Sequence, residues 1–283
     1  MRTEKINKEA AVDALYKHCI STRQHSWGFW KLKALTLDKD TVSFYMPEKD
    51  CYYSIYTHKA SDKRMLASYI AKDGICYIPV DELNALDCIM MQEAAFDTIR
   101  DQLIDFTVND RPGLDYDFSY VPVVDNGRYS IIDFDFTNEQ HFAEASKLLN
   151  QEDNGDWMMP DNIRKIARQY KQHAVFYPDL WFFTKDNVDN KLTGISISFY
   201  DETTEETHID FCYVLPQCHG KGAGRALLRE TVNRSRAHTK YIVTGSTNEF
   251  YTKCGFYESR FDVWAAKDGF EFIASCVQPN ILP

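Results

Sequence analysis

The residues best suited to chemistry lie in the segment YVLPQCHGKGAGRALLRETV, Tyr213 to Val232. There Gly220, Gly222 and Gly224 alternate between a β-branched run and a helical pattern. A glycine-rich passage from strand into helix suits an anion. Glycine lets the backbone approach a ligand, the first-turn N–H groups have no partner within the helix, and the helix dipole adds positive potential. The ligand would be a phosphate or pyrophosphate. Two common phosphate loops do not fit: a Walker loop needs a lysine–hydroxyl pair after its last glycine, and a dinucleotide fingerprint needs GxGxxG, where this chain reads GKGAGR. A tight turn with no ligand is the plain alternative for so short a motif.

Just upstream, EETHIDFCYV carries further polar groups. Period-two alternation predicts Glu206, His208 and Asp210 on one face of a strand that leads into the glycines. A neutral imidazole or a carboxylate there can accept a proton, directly or through water. The plain alternative is an exposed strand-start charge at Glu206 and a hydrogen-bonded surface histidine at His208. Cys212 and Cys218 could serve as nucleophiles only with an activating base and a lowered pKa, so they are read as structural thiols.

The eight cysteines include no CxxC pair, which argues against a disulfide framework or a zinc finger. No metal is expected, because Cys218 and His219 have no second ligand pair at metal-like spacing. The formal net charge of −10 argues against a general nucleic-acid binder and is compatible with cationic small substrates. With no apolar run of membrane-spanning length and no apolar core near the N-terminus, neither a membrane partner nor export is expected, and the default compartment is the cytoplasm. The sequence leaves a homodimer open.

These groups need a scaffold, and the pattern predicts an α+β chain of two domains. The turn-rich stretch NDRPGLDYDFSYVPVVDNGR, Asn109 to Arg128, marks a boundary near residue 125, giving domains of 1–125 and 126–283. The first reads as α+β with no recognisable chemistry. It has a helix from Lys8 to Ile20 with Ala11, Leu15 and Cys19 on its buried face, strands at TVSFYM, CYYSIYT and ICYIPV, and helices at Ser61 to Ala71 and Asp81 to Phe106. Trp27, Trp30, Tyr52 and Tyr53 are expected to pack rather than cage a ligand. The second reads strand 129–136, helices 139–150 and 160–172, strands 180–184, 192–200 and 206–215, helix 222–236, strand 241–244, short helix 248–254 and strand 257–264. Hairpin-connected strands followed by a strand–helix–strand unit predict a mixed, mostly antiparallel sheet flanked by helices.

In that setting the glycine segment resembles the acyl-CoA-binding signature of the GNAT N-acetyltransferase superfamily, V-x-P-x-x-[RQ]-G-x-G-x-[GA]-x-x-L-L. Val214, Pro216, Gly220, Gly222, Gly224, Leu227 and Leu228 match in register. A second block of the FYxxxGF form follows as Phe250, Tyr251, Gly255 and Phe256. The resemblance spans about residues 128 to 265 and departs at two places. His219 stands where arginine or glutamine is usual, and Thr244 where an asparagine is frequent.

The resemblance implies an acetyl-CoA-dependent N-acetyltransferase that transfers the acetyl group directly to a primary amine. Its alternative is a non-catalytic acyl-CoA-binding module that serves regulation or protein interaction. The pantetheine amides would pair with the backbone of Tyr213 and Val214, and the pyrophosphate would sit on the N–H groups of His219, Gly220, Lys221, Gly222, Ala223 and Gly224. Lys221, Arg225 and Arg229 would add charge near the phosphates. Tyr251 matches the family's frequent general acid and the N–H of Val214 its oxyanion donor. His208 and Asp210 are candidates for the base, with Glu206 behind them.

Overall fold

The computed structural model describes residues 3–22, 29–48, 50–58, 63–69, 88–91, 107–122, 127–150, 158–245, 249–267 and 270–277. It divides into two compact units, Met1–Leu114 with Glu258–Pro283, and Asp115–Tyr257. No helix among the described residues is long and apolar enough to cross a membrane.

The first unit contains β1 (Glu4–Ile6), α1 (Lys8–Thr22), α2 (Phe29–Leu37), β2 (Val42–Met46), β3 (Cys51–His58), β4 (Lys63–Tyr69) and β5 (Cys88–Met91). Later in the chain come β12 (Phe256–Lys267), which belongs to this unit from Glu258 onwards, and β13 (Phe270–Val277). Strands β1 to β4 form an antiparallel meander, β5 runs parallel to both β4 and β13, and β12 and β13 make an antiparallel hairpin. On α1, Ala11, Leu15 and Cys19 are buried, as their spacing requires. Trp30 and Tyr53 are buried too.

Several expectations change here. The helix predicted at Ser61 to Ala71 is strand β4, whose residues pair one for one with β3 from Tyr52↔Tyr69 to His58↔Lys63. Cross-strand pairing outweighs the local helical propensity of KRMLASY. Within the helix predicted at Asp81 to Phe106, Cys88–Met91 is strand β5; the rest of that helix, like the predicted strand ICYIPV and Trp27, lies outside the described residues. Strand β6 (Thr107–Tyr116) runs through the first half of the stretch read as a linker. The division also differs from the expected 126–283, because the β12–β13 hairpin pairs with β5 and so groups with the N-terminal residues.

In the second unit the elements are β7 (Tyr129–Asp133), α3 (Glu139–Leu149), α4 (Pro160–Gln172), β8 (Trp181–Asp186), β9 (Lys191–Asp201), β10 (Glu206–Val214), α5 (Ala223–Ser235), β11 (Tyr241–Thr244) and α6 (Glu249–Thr252). The order in the sheet is β11-β10-β9-β8-β7, antiparallel throughout except for the parallel β10–β11 pair. The Asn138 side chain caps α3 by accepting from the Gln140 N–H at 3.0 Å, and Pro160 opens α4 where its missing N–H costs nothing. Helices cover both faces of this sheet, so β8 is apolar on both. Trp181 and Phe183 meet Phe134, whereas Phe182 lies under Arg234 of α5. On β9, Phe199 packs against Tyr170 of α4, and Ser196 exchanges a hydrogen bond with Thr231 of α5.

Candidate functional site

Each of the three glycines has its own physical reason. Gly220 and Gly222 have φ of 71° and 100°, a region that a residue with a Cβ enters at a cost. Gly224 is helical, but a Cβ there would lie 2.8 Å from Phe250 Cζ, so its bareness lets α6 close on α5. Gly222 is the N-cap of α5 and supplies no side-chain cap; the first helical bond runs from the Ala226 N–H to its carbonyl at 3.0 Å. The N–H groups of Ala223, Gly224 and Arg225 are therefore left over at the helix start.

In the preceding turn, the N–H groups of Cys218, His219 and Lys221 donate to the carbonyls of Leu215, Pro216 and Cys218 at 2.8, 3.1 and 3.3 Å. This narrows the expected cradle. His219 and Lys221 spend their N–H groups on the turn, and the donors that remain are those of Gly220, Gly222, Ala223, Gly224 and Arg225. Tyr129, Ala223 and Ala226 form a buried cluster, with Val214 and Cys218 packed on it, that seats the turn on the end of the sheet.

The adjoining strand end opens in a defined way. Among the described residues, strand β10 is registered with β11 from Glu206↔Tyr241 to His208↔Val243, while its pairing with β9 continues to Val214↔Gly194. Because the Leu215 N–H donates to the Thr193 carbonyl at 2.9 Å, Val214 and Cys212 occupy positions whose N–H and C=O point away from β9. The Tyr213 carbonyl points towards β9 instead: a Cβ on Gly194 would lie 2.6 Å from it. Cys212 and Val214, rather than Tyr213 and Val214, thus present backbone groups on the side that β11 leaves. The Val214 carbonyl is taken by the His219 side chain, whose Nε2 donates to it at 2.8 Å. A cleft of about 550 Å³, lined among others by Cys212, Tyr213, Val214, His219, Gly222 and Phe250, joins the strand end to the glycines. Its size suits a small-molecule ligand.

The polar face of β10 is shaped by a bulge. The register shifts between Ile209, opposite Ser198, and Phe211, opposite Ile197, so Asp210 is the extra residue of a bulge. His208 opposes Phe199 before the bulge, and Cys212 opposes Ser196 after it. His208, Asp210, Phe211 and Tyr213 therefore face α4, while Cys212 and Val214 face α5. Unbroken alternation would have left Cys212 on the His208 face.

Asp210 accepts a hydrogen bond from the Tyr170 hydroxyl. Burial, reinforced by the Asp210 charge, drives that phenol pKa far up. His208 is 8% exposed, its ring 4.9 Å from that of Phe199, and Glu206 is 2% exposed. Neither is the surface group that the plain alternative described, and the Phe199 ring packs on His208.

Tyr251 is buried on α6, its ring 5.4 Å from both Phe250 and Phe256. Burial first, then the neighbouring Cys212 thiol, holds the phenol pKa well above its ordinary value, while a hydrogen bond with Thr244 pulls the other way. Thr244, which stands where an asparagine is frequent, thus engages the candidate acid. Burial likewise pushes the Cys212 thiol up to about 12. Arg225 borders the cleft and lies close enough to the Cys254 thiol to oppose the upward effect of burial there. Lys221 is exposed beside the glycines. Among the described residues no group of His, Cys, Asp and Glu could hold a metal ion.

Sequence reasoning missed Tyr170 and Tyr129. The only signal for Tyr170 is its place with Ile163 and Ala167 on the buried face of α4.

A mostly antiparallel sheet that opens beside a glycine-rich helix start defines a class. Residues 142–256 match the model of the acetyltransferase (GNAT) family, and this stretch is a GNAT acetyltransferase domain. The fold is similar to that of a GCN5-related N-acetyltransferase from Sphaerobacter thermophilus, with a TM-score of 0.66 and 11% identity over 96% of this chain and 97% of the other. A Drosophila protein matches with a TM-score of 0.55 and 9% identity over 94% and 98% of the two chains. A GCN5-related glucosamine N-acetyltransferase region in a fungal multi-domain β-N-acetylglucosaminidase matches with a TM-score of 0.57 and 10% identity, over 97% of this chain but 38% of that one. At such identities the likeness is one of fold. No curated protein sequence matches this chain.

Proposed function

We propose that this domain transfers an acetyl group from acetyl-CoA directly to a primary amine. The observation that carries the reading is one cleft in which backbone donors at Gly220, Gly222, Gly224 and Arg225, beside that of Ala223, meet the outward-facing backbone of Cys212 and Val214. The first set suits a pyrophosphate, and the second suits the amides of an extended pantetheine arm. Lys221 and Arg225 add positive charge at the phosphate end.

The chemistry then divides among few groups. The amine nitrogen attacks the thioester carbonyl, the Val214 N–H donates to the oxyanion, and the carbon–sulfur bond breaks as the thiolate takes a proton. Tyr251 supplies that proton, directly or through the Cys212 thiol that borders the cleft. A phenol with a raised pKa is protonated at neutral pH, as a donor must be. Asp210 takes the amine proton. It is preferred to His208 because it sits at the bulge where β10 leaves β11, whereas the His208 ring is packed on Phe199 within the paired part of the strand.

A thiol-release assay with acetyl-CoA and a panel of amines, alongside calorimetric binding of acetyl-CoA, tests the reading. Turnover with at least one amine is expected. Tight acetyl-CoA binding without turnover on any amine would favour the acyl-CoA-binding module instead.

A further inference from the structure

We infer that Tyr170 is a positioning residue for the acceptor half of this reaction, acting through Asp210. The inference rests on the acetyl-transfer reading above.

The bulge is the starting point. It makes Asp210 the extra residue on the α4 face of β10, just past the last register pair with β11 among the described residues. On that face the Tyr170 hydroxyl donates to Oδ2. Tyr170 itself has little freedom. It is 3% exposed, and its ring meets Trp181 at 6.1 Å and Phe199 at 5.1 Å, both edge to face. Helix α4 and the sheet thus hold the phenol rigidly, and the phenol holds the carboxylate. Cys212, whose backbone faces the cleft, is two residues further along the strand, roughly 7 Å at normal strand rise. A carboxylate anchored at that distance is placed for the acceptor nitrogen rather than for the phosphates. A carboxylate with a rigid donor on one oxygen keeps its orientation through the proton transfer, as a base requires.

The test is a double-mutant cycle on the full-length protein with Tyr170→Phe, Asp210→Asn and the pair. Tyr170→Phe keeps the ring that packs on Trp181 and Phe199. It is expected to lower kcat roughly tenfold to a hundredfold, the range for losing a hydrogen bond to a charged group, with acetyl-CoA affinity within twofold of wild type. In the Asp210→Asn background the same change should lower kcat less than threefold, because the group through which Tyr170 acts is already gone. Melting temperature and acetyl-CoA calorimetry are read on every variant. A wild-type protein that turns over while Tyr170→Phe leaves kcat unchanged, or while its loss persists in full in the Asp210→Asn background, overturns the inference alone. So does a parallel fall in acetyl-CoA affinity, which would mark Tyr170 as merely structural. Absence of turnover in the wild type overturns the acetyl-transfer reading and the inference with it.

Discussion

Replacing Gly222 by alanine separates backbone conformation from space in the proposed anion cradle. The new Cβ would find its nearest neighbour, Tyr129 Cε2, at 3.6 Å, which is ordinary contact. The cost is therefore conformational: at φ 100° and ψ −7° the alanine sits in a left-handed region that disfavours it by roughly 1–2 kcal/mol. For a domain of this size that lowers the melting temperature by about 2–8 °C. If the turn relaxes to escape the strain, the N–H groups of Gly222 and Ala223 rotate, and losing one charge-assisted hydrogen bond of about 1.5–3 kcal/mol weakens acetyl-CoA binding at least about tenfold. Gly224→Ala, two residues on, is the contrasting control. Its helical backbone gains about 1 kcal/mol of propensity, but the Cβ would lie 2.8 Å from Phe250 Cζ, so Phe250, and with it Tyr251, must shift. Calorimetric titration of acetyl-CoA, thermal melts and kcat, measured on both variants, should put the loss mainly in affinity for Gly222→Ala and mainly in kcat for Gly224→Ala. Wild-type affinity and melting temperature in Gly222→Ala would refute the cradle.

His219→Gln should keep acetyl-CoA affinity within about threefold, since a side-chain amide can also donate to the Val214 carbonyl and the cradle depends on N–H groups; a larger loss on calorimetry would count against that account. Tyr251→Phe should lower kcat by roughly 10²–10⁴ with the acetyl-CoA dissociation constant nearly unchanged, a split visible in steady-state rates and calorimetry. Cys212, with its thiol pushed from 9.0 up to about 12, should resist alkylation at pH 8, as peptide mapping after iodoacetamide would report. Because the folded state keeps that proton while the unfolded chain loses it above pH 9.0, its contribution to stability is intact below 9.0 and lost as pH rises towards about 12; denaturant midpoints across that range test the sign.

The order of elements from residue 129 onwards was legible because each carries its own local signal. Period-two and period-3.6 apolar patterns, Pro160 at a helix start and glycines at a turn all act within a few residues of themselves. The same locality explains why YVLPQCHGKGAGRALLRETV could be read as an anion cradle: its three glycines and the helical pattern that follows lie within a few residues of one another. What tertiary structure decided depends on partners far away in sequence. KRMLASY is a strand because β3 lies beside it. Asp210 is an extra residue in β10 only relative to the register of β9, and that one-residue offset sends Cys212 and Val214 to the face of α5. Tyr170, forty residues from Asp210, becomes its donor because α4 packs across the sheet at that point. Residue types and short spacings therefore set the chemistry on offer, while strand register and helix packing, which no local pattern encodes, selected the groups that meet.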